Sequence, residues 1–509
     1  MSPRPQGREI LPPPTRDRLP LLISFTALIA GTAAAFHYSG VGLALAHYDA
    51  RAHLVVARRI IDSLTPGWQQ VGAVWLPLPH LLNMFPIQID ALYRTGASAI
   101  AISVLSIALA VWAMSEAIRR TTGSAAGAIT AAALLLLNPN VLYLQSTPMT
   151  EPLLFATVML SISLTARWLE DISRSPTAAG TALAAACLTR YEGWPIAAAI
   201  VGLAVAVLIR RGTPIRTTLG AGARLTAYPA IAIALFLVNS RWTVGSWFVT
   251  SGFFVAENVD ALAHPLVAWD QLREGLYRLS GTALVWSGYA GTILIVIAYV
   301  RSRTRAPLAL ILAPIAAAAL PLSAYVQGHP FRIRYDVPLV AACAALAGGG
   351  IGLLWIRIQP IAAALVITAA LVQAHPLDLA APLIVESQRD AVNQQGREAV
   401  TAYLVQHRDG RTIMMSMGSL GHYMHDLSAH GFVIRDFLHE GNGDIWNFAI
   451  TDPKAVVGWI AIEEKAEGGD ALFVEARRHP AFLDGFIRVA EGGGVALYRK
   501  VLQGSTGFH

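Results

Sequence analysis

Apolar residues in this chain come in long blocks broken by short polar segments. A membrane-spanning helix needs about 20 mostly apolar residues. Such blocks lie at roughly 19–38, 95–114, 124–143, 151–168, 177–189, 194–209, 225–240, 281–300, 307–325, 338–355 and 360–374. They predict an α-helical polytopic membrane protein of about eleven transmembrane helices over residues 19–374. Beyond residue 375 the pattern changes. Thr412–Met417 and Val456–Ile462 read as buried strands, and Gly396–His407 and Ala471–Arg478 as helices. Val489–Arg499 reads as two strands around a glycine turn, so residues 375–509 are expected to form a small α/β domain.

Composition agrees with this division. Of 509 residues 55% are hydrophobic and only 14% charged, with a mean hydropathy of +0.51. Soluble proteins carry about a quarter of their residues as charges, so this chain lacks the polar surface to cover itself in water. The net charge of +6 hides a split: residues 1–374 hold 26 bases and 15 acids, residues 375–509 hold 12 bases and 17 acids. The arginines sit at the ends of apolar blocks rather than in one stripe, which argues against nucleic acid as a partner. Cys187 and Cys343 both lie in apolar runs, so no disulfide framework is expected.

The Pro- and Arg-rich start, 1–18, reads as a disordered cytoplasmic tail, and Leu19–Phe36 as an anchor. With that end inside, the cytoplasmic loops hold Arg119, Arg120, Arg174, Arg210, Arg211, Arg216, Arg224, Arg301, Arg303, Arg305 and Arg357. Each such loop is basic, as the positive-inside rule requires. The same alternation puts segments 39–94, 241–280 and 326–337, and the α/β domain, on the outer face of the plasma membrane. Those outer segments are rich in acids, histidines and arginines. That is the wrong bias for outer loops, and it points to a site.

The first outer loop carries Tyr48, Asp49, His53, Arg58, Trp68, Trp75 and His80. Leu54, Ala57, Ile61 and Leu64 recur at helical spacing, predicting an amphipathic helix lying on the membrane surface. Asp49 at its start reads either as a helix cap or as a carboxylate whose basicity partial burial raises. A second cluster is His329, Arg332, Arg334 and Tyr335, within Gly328–Pro338. The two arginines read as interfacial side chains reaching for headgroups, or as a phosphate clamp of guanidinium forks. Glu151 at the mouth of one span, and Arg190 with Glu192 at a tight turn, complete the set. Charges at the membrane boundary are costly and are functional candidates by default; a local Arg190–Glu192 pair is the alternative. In the tail, His422, His425 and His430 lack a nearby carboxylate motif and read as loop histidines more readily than as metal ligands.

Taken in order, Tyr48-Asp49, Ala57-Arg58, Trp75 to His80, Thr150-Glu151-Pro152 and Arg334 to Pro338 resemble motifs of the GT-C superfamily of integral-membrane glycosyltransferases. The likeness is to the protein O-mannosyltransferase and aminoarabinose-transferase branch, and it spans residues 20–355. One departure is Ala50, where those families often carry a second acid; Glu151 or Glu192 would have to supply it. The resemblance implies transfer of a sugar from a polyprenyl-phosphate carrier to an acceptor hydroxyl on an envelope glycan, lipid or protein. Asp49 would be the base, with Glu151 a second catalytic acid. Arg332, Arg334 and Arg190 would bind the donor phosphate. Tyr48, His53, Arg58, Trp75, His80, Glu192, His329 and Tyr335 would line the substrate cavity. The resemblance requires no cofactor, and it leaves a divalent metal open. Two other classes compete: a transporter or flippase for an envelope lipid, and a non-catalytic envelope scaffold. A transporter would be expected to show internal repeats and midplane charges, and the chain has neither an evident repeat nor that placement.

Overall fold

The computed structural model describes residues 17–72, 74–248, 258–393 and 395–501. Residues 1–16 of the expected disordered tail, and 249–257 of the expected 241–280 loop, lie outside the described residues.

All eleven apolar blocks are helical. Among the described residues, six helices are long and apolar enough to cross a membrane: Leu19–Gly40, Ala97–Thr122, Gly193–Arg210, Ile215–Val244, Pro265–Arg301 and Ala306–Val326. The expected count of eleven is therefore not established. Ala125–Leu136, Thr177–Cys187 and Gln359–Gln373 are apolar but shorter, and Val337–Ile351 is buried along its whole length by other helices. Hydropathy counts apolar blocks; it does not separate a lipid-facing span from a helix wrapped in protein.

Small residues let these helices approach closely. A Cβ on Gly291 would collide with the Leu346 carbonyl, and one on Gly127 would lie 2.5 Å from the Gly348 carbonyl oxygen. Backbone contact of this kind replaces the hydrophobic driving force that lipid removes. Gly291→Ala should therefore cost about 1–3 kcal/mol as an overpacked contact. It should lower the melting temperature in detergent, and an unchanged melt would show that the two helices part freely. Pro265–Arg301 breaks once, at Gly281 with φ +74. There the Gln373 side chain accepts from the freed Ala283 N–H at 2.8 Å and donates to the Thr282 hydroxyl at 2.6 Å.

The C-terminal part builds a small mixed sheet. Its strands are β1 (Ile413–Met415), β2 (Phe437–Leu438), β3 (Trp459–Glu463), β4 (Phe486–Gly492) and β5 (Val495–Lys500), in the order β2-β1-β3-β5-β4. β1 runs parallel to β2 and β3; β5 runs antiparallel to β3 and β4. The expected helices appear as Glu398–Gln406 and Ala471–Arg478.

The helix Tyr48–Arg59 departs from its expected place. It does not lie on a membrane surface: Leu54, Val55 and Ala57 share one apolar core with Leu420, Met424, Trp459 and Leu497 of the sheet domain. Charges stitch the same seam. Arg51 Nη1 donates to both Asp426 oxygens at 2.6 and 2.8 Å. Asp62 accepts from Arg58 Nε at 3.0 Å, from Arg435 Nε at 2.9 Å and from the Ile434 N–H at 3.2 Å. The polar face of the helix was made for protein, not for water or headgroups.

Candidate active site

Three segments converge at the end of the helical bundle that carries the sheet domain. The first begins at His47, which is extended and caps the Tyr48–Arg59 helix: its Nδ1 accepts the Asp49 N–H at 3.1 Å. Asp49 is thus not the cap. It sits in the first turn, where the helix dipole favours a carboxylate, and is 6% exposed. The second segment starts the helix Glu151–Trp168, with Glu151 fully buried in its first turn. The third bends after Gly328. Arg332 is extended, Ile333–Asp336 makes a 3₁₀ turn, and Pro338 enters the next helix. The bend that a two-arginine clamp requires is present.

Arg334 joins these segments. Its Nη2 lies 2.5 Å from Asp49 Oδ2, its Nε 3.6 Å from Glu151 Oε1, and its Nη1 3.5 Å from His47 Nε2. Arg190 extends the chain of charges, with Nη1 3.0 Å from Glu151 Oε1 and Nη2 2.8 Å from Glu192 Oε1. Its Nη1 also donates to the Thr150 hydroxyl at 3.0 Å. The local Arg190–Glu192 pair exists, then, within a larger array. Glu151 lies close to two guanidiniums yet accepts a hydrogen bond from neither, so both its oxygens are buried without a donor. Buried carboxylate oxygens without donors are costly. This one is a ready acceptor for a hydroxyl.

The electrostatics correct one expectation. Burial would raise the Asp49 carboxyl, but Arg334, with His47 and His53, overrides it and holds the group at about 2. Basicity raised by desolvation is not what this site shows. Burial and the nearby Arg334 push His47 down to about 3, and burial with Arg59 pushes His80 to about 3. His53 is lowered as well, by burial and then by His80. These imidazoles are neutral at pH 7. Burial works against the charge of Arg190, but Glu151 and Glu192 more than compensate and raise its pKa.

The other predicted residues divide. Tyr335, half-buried against His329 with ring centroids 5.5 Å apart, lies within electrostatic reach of Arg334 and Asp49. Arg332 is half-buried, and its charge reaches His47 and Glu386. Tyr48 stacks on His47 at 5.0 Å. His53 and His80 form a buried pair, Nδ1 to Nε2 at 3.0 Å, with Trp75 over His53 at 4.0 Å. Arg58 is not brought to the Asp49–Arg334–Glu151–Arg190 array. It is spent on Asp62, on Asp90 at 2.7 Å and on the Tyr93 ring at 4.4 Å, which makes it a seam residue. His422 bonds Arg397 at 2.6 Å while His425 bonds the Tyr93 carbonyl at 3.0 Å. Among the described residues no group of three or more His, Cys, Asp or Glu could hold a metal ion.

One acid escaped the sequence reading. Glu386, on the tail helix Pro382–Asn393, faces the electrostatic field of Arg334, Arg332, Asp49 and Glu151, and burial raises its pKa. A lone Glu in a polar tail carries no signal for this. Only the packing of the tail over the bundle reveals it.

The chain matches no protein-family model, and no curated protein matches it. Solved structures do match. ArnT from Cupriavidus metallidurans bound to undecaprenyl phosphate superposes with a TM-score of 0.56, over 96% of this chain and 99% of that one, at 14% identity. The apo state of the same protein gives 0.54 over 94% and 97%. This chain has the ArnT fold. The likeness runs through the bundle and the sheet domain alike, and it is the GT-C fold that the sequence motifs implied. An ArnT fold at this identity leaves the side chains of the site to be argued on their own chemistry.

Proposed function

We propose that this protein is a membrane glycosyltransferase that moves a sugar from a polyprenyl-phosphate carrier to an acceptor hydroxyl on the outer face of the membrane. The observation that carries the reading is the buried array Asp49–Arg334–Glu151–Arg190, set where the bundle meets the sheet domain. The ArnT neighbour, solved with undecaprenyl phosphate, supports the donor class. In this reading the N-terminus is cytoplasmic and the sheet domain external.

The acceptor oxygen attacks the anomeric carbon in line and the C–O bond to phosphate breaks. Its electron pair stays on the leaving phosphate, and the acceptor proton passes to Asp49. Attack from the opposite face inverts the centre. Phosphate is a good leaving group, so the protein supplies cations where charge builds up. Arg334 is the first of these, with Arg332 and Arg190 beside it. Donor binding also prepares the base. A phosphate that draws the guanidinium of Arg334 takes it from Asp49, and the carboxylate regains the basicity that Arg334 suppresses. Glu151, ion-paired to Arg190 and Arg334 but accepting no hydrogen bond, orients a sugar or acceptor hydroxyl, and Glu386 closes the cavity from the tail.

The test is the full chain in nanodiscs with radiolabelled polyprenyl-phosphate sugars and an envelope extract as acceptor. Label should move to the extract as polyprenyl phosphate is released. A donor that crosses the bilayer intact, with no release in any extract, would replace the enzyme by a transporter.

A further inference from the structure

One helix of the sheet domain leaves an apolar pair uncovered. Asp444–Thr451 turns its inner face, Trp446 and Ala449, into the core that holds Leu438, Ile460 and Phe482. Ile445 and Phe448 are three residues apart, and so neighbours on the helix surface; they are 41% and 56% exposed. Among the described residues of 395–501, Phe448 is the one Phe, Tyr or Trp that is exposed. Single exposed aliphatics are ordinary on a protein surface. An adjacent Ile and Phe on the outer face of a short amphipathic helix point to a contact.

Hydrogen bonds tie this helix to the end of a membrane span. It begins two residues after Asn442, whose Nδ2 donates to the hydroxyls of Ser63 at 3.2 Å and Thr65 at 3.0 Å. The adjacent Gly441 carbonyl accepts from Gln70 Nε2 at 2.7 Å, in the turn Trp68–Val71. From that turn Trp68 Nε1 donates to Asn239 Oδ1 at 2.6 Å, and Asn239 Nδ2 donates to the Gly72 carbonyl at 3.4 Å. Asn239 lies in the last turns of the spanning helix Ile215–Val244. The joints of this link carry exposed apolar side chains as well: Trp242 at the end of the span, Trp68 itself, and Leu64 between the two hydroxyl residues. Tryptophan gathers at the boundary of membrane and water.

We propose that the face of Asp444–Thr451 bearing Ile445 and Phe448 docks on the bilayer, in the leaflet at the Val244 end of Ile215–Val244. Its occupant is lipid, because the face continues a strip of exposed apolar side chains that starts on a membrane span. Asp444 and Asp452 bracket it and Lys454 follows, all three exposed, so charge does not select anionic headgroups. The two side chains enter the boundary of headgroups and acyl chains, where interfacial helices bury their apolar face by about 5–10 Å. Asn442 and Gly441 join the helix to the first loop, so the contact holds the β2 edge of the sheet domain against the end of the bundle.

The test uses the full chain in phosphatidylcholine nanodiscs, with a bimane fluorophore on a cysteine introduced at one position at a time. Cys187 and Cys343 are buried, and protein without a new cysteine gives the background label. Ile445→Cys and Phe448→Cys report on the face. Ile487→Cys is the control: this isoleucine is 54% exposed on β4, at the opposite edge of the sheet from β2. Emission at 445 and 448 should be blue-shifted, and most of it should be lost when part of the lipid carries a nitroxide near the head of an acyl chain. Emission at 487 should keep its intensity. Blue-shifted emission that the nitroxide lipid leaves intact means that protein, a second copy or a partner, covers the face, and it overturns the proposal. So does water-like emission at both positions, or equal quenching at all three. If Phe448→Cys lowers the yield of folded protein, Ile445→Cys decides. These readouts involve neither donor nor acceptor, so failure here is distinct from failure of the enzyme reading.

Discussion

Asp49→Asn should lower the transfer rate by about 10²–10⁴-fold, the span of a lost general base, while donor binding changes little. The substitution keeps the size of the side chain and its place in the first turn of the helix, so Arg334 still has Glu151 at 3.6 Å. What disappears is the proton acceptor. The pH profile sharpens the test. With Arg334 beside it the Asp49 carboxyl stands at about 2 in the unliganded protein, so the base is already deprotonated across the physiological range. The acid limb of kcat/KM, which reports the free enzyme, should therefore fall below about pH 4. The buried histidines, His47 and His80 at about 3 and His53 held well below its ordinary value, add no limb near 6.5. The stability sign follows from the same shift. A depressed Asp stabilises the fold above its ordinary value near 3.8, and that contribution is lost as pH falls from there to about 2. Near-normal turnover in Asp49→Asn, or an acid limb near pH 6.5 that vanishes with a histidine substitution, would move the base elsewhere, with Glu151 next.

Why some of this was readable from sequence is a matter of cost. An acid or arginine in a chain with so few charges must be satisfied or functional, so Asp49, Glu151, Arg190, Glu192 and Arg334 stood out, and the structure brings these five together. The strands β1 and β3 were visible because buried runs rich in Ile, Met and Trp have one reading. Strand β2 is two residues long and has no period to detect. The partners of Arg58 are hidden from the sequence for a different reason. Its partner Asp62 is four residues away, but Asp90 and the Arg435 that shares Asp62 come from distant stretches. A helix pattern shows which face is polar, and it is silent on whether water, lipid or another domain covers that face. His47 as the cap and Glu386 as the tail acid were hidden likewise, one by its unusual chemistry for a cap and one by tertiary packing alone.

The guanidinium at position 334 carries the second large effect. Arg334 meets Asp49 through Nη2 and Glu151 through Nε, so two edges of one planar fork serve two carboxylates. Arg334→Gln removes the cation and should cost about 10²–10³ in rate, the scale of a lost donor to developing charge. It also leaves Asp49 without its main counter-charge, so the Asp49 carboxyl should rise and the acid limb should move up in pH. Arg334→Lys separates charge from shape. An ammonium can reach one carboxylate or the phosphate, but it cannot reproduce the planar fork, so transfer should still fall while the acid limb stays low. Arg332→Lys, in the extended residue before the 3₁₀ turn, should also lower transfer, because an ammonium there cannot reproduce a fork on the phosphate. Arg305→Lys, at an exposed position in a loop expected to be cytoplasmic, is the silent control. Equal activity of the lysine variants at 332, 334 and 305 would mean that no fork meets the phosphate. Arg334 would then be an anchor for Asp49, and Arg190 would be left to balance the leaving group.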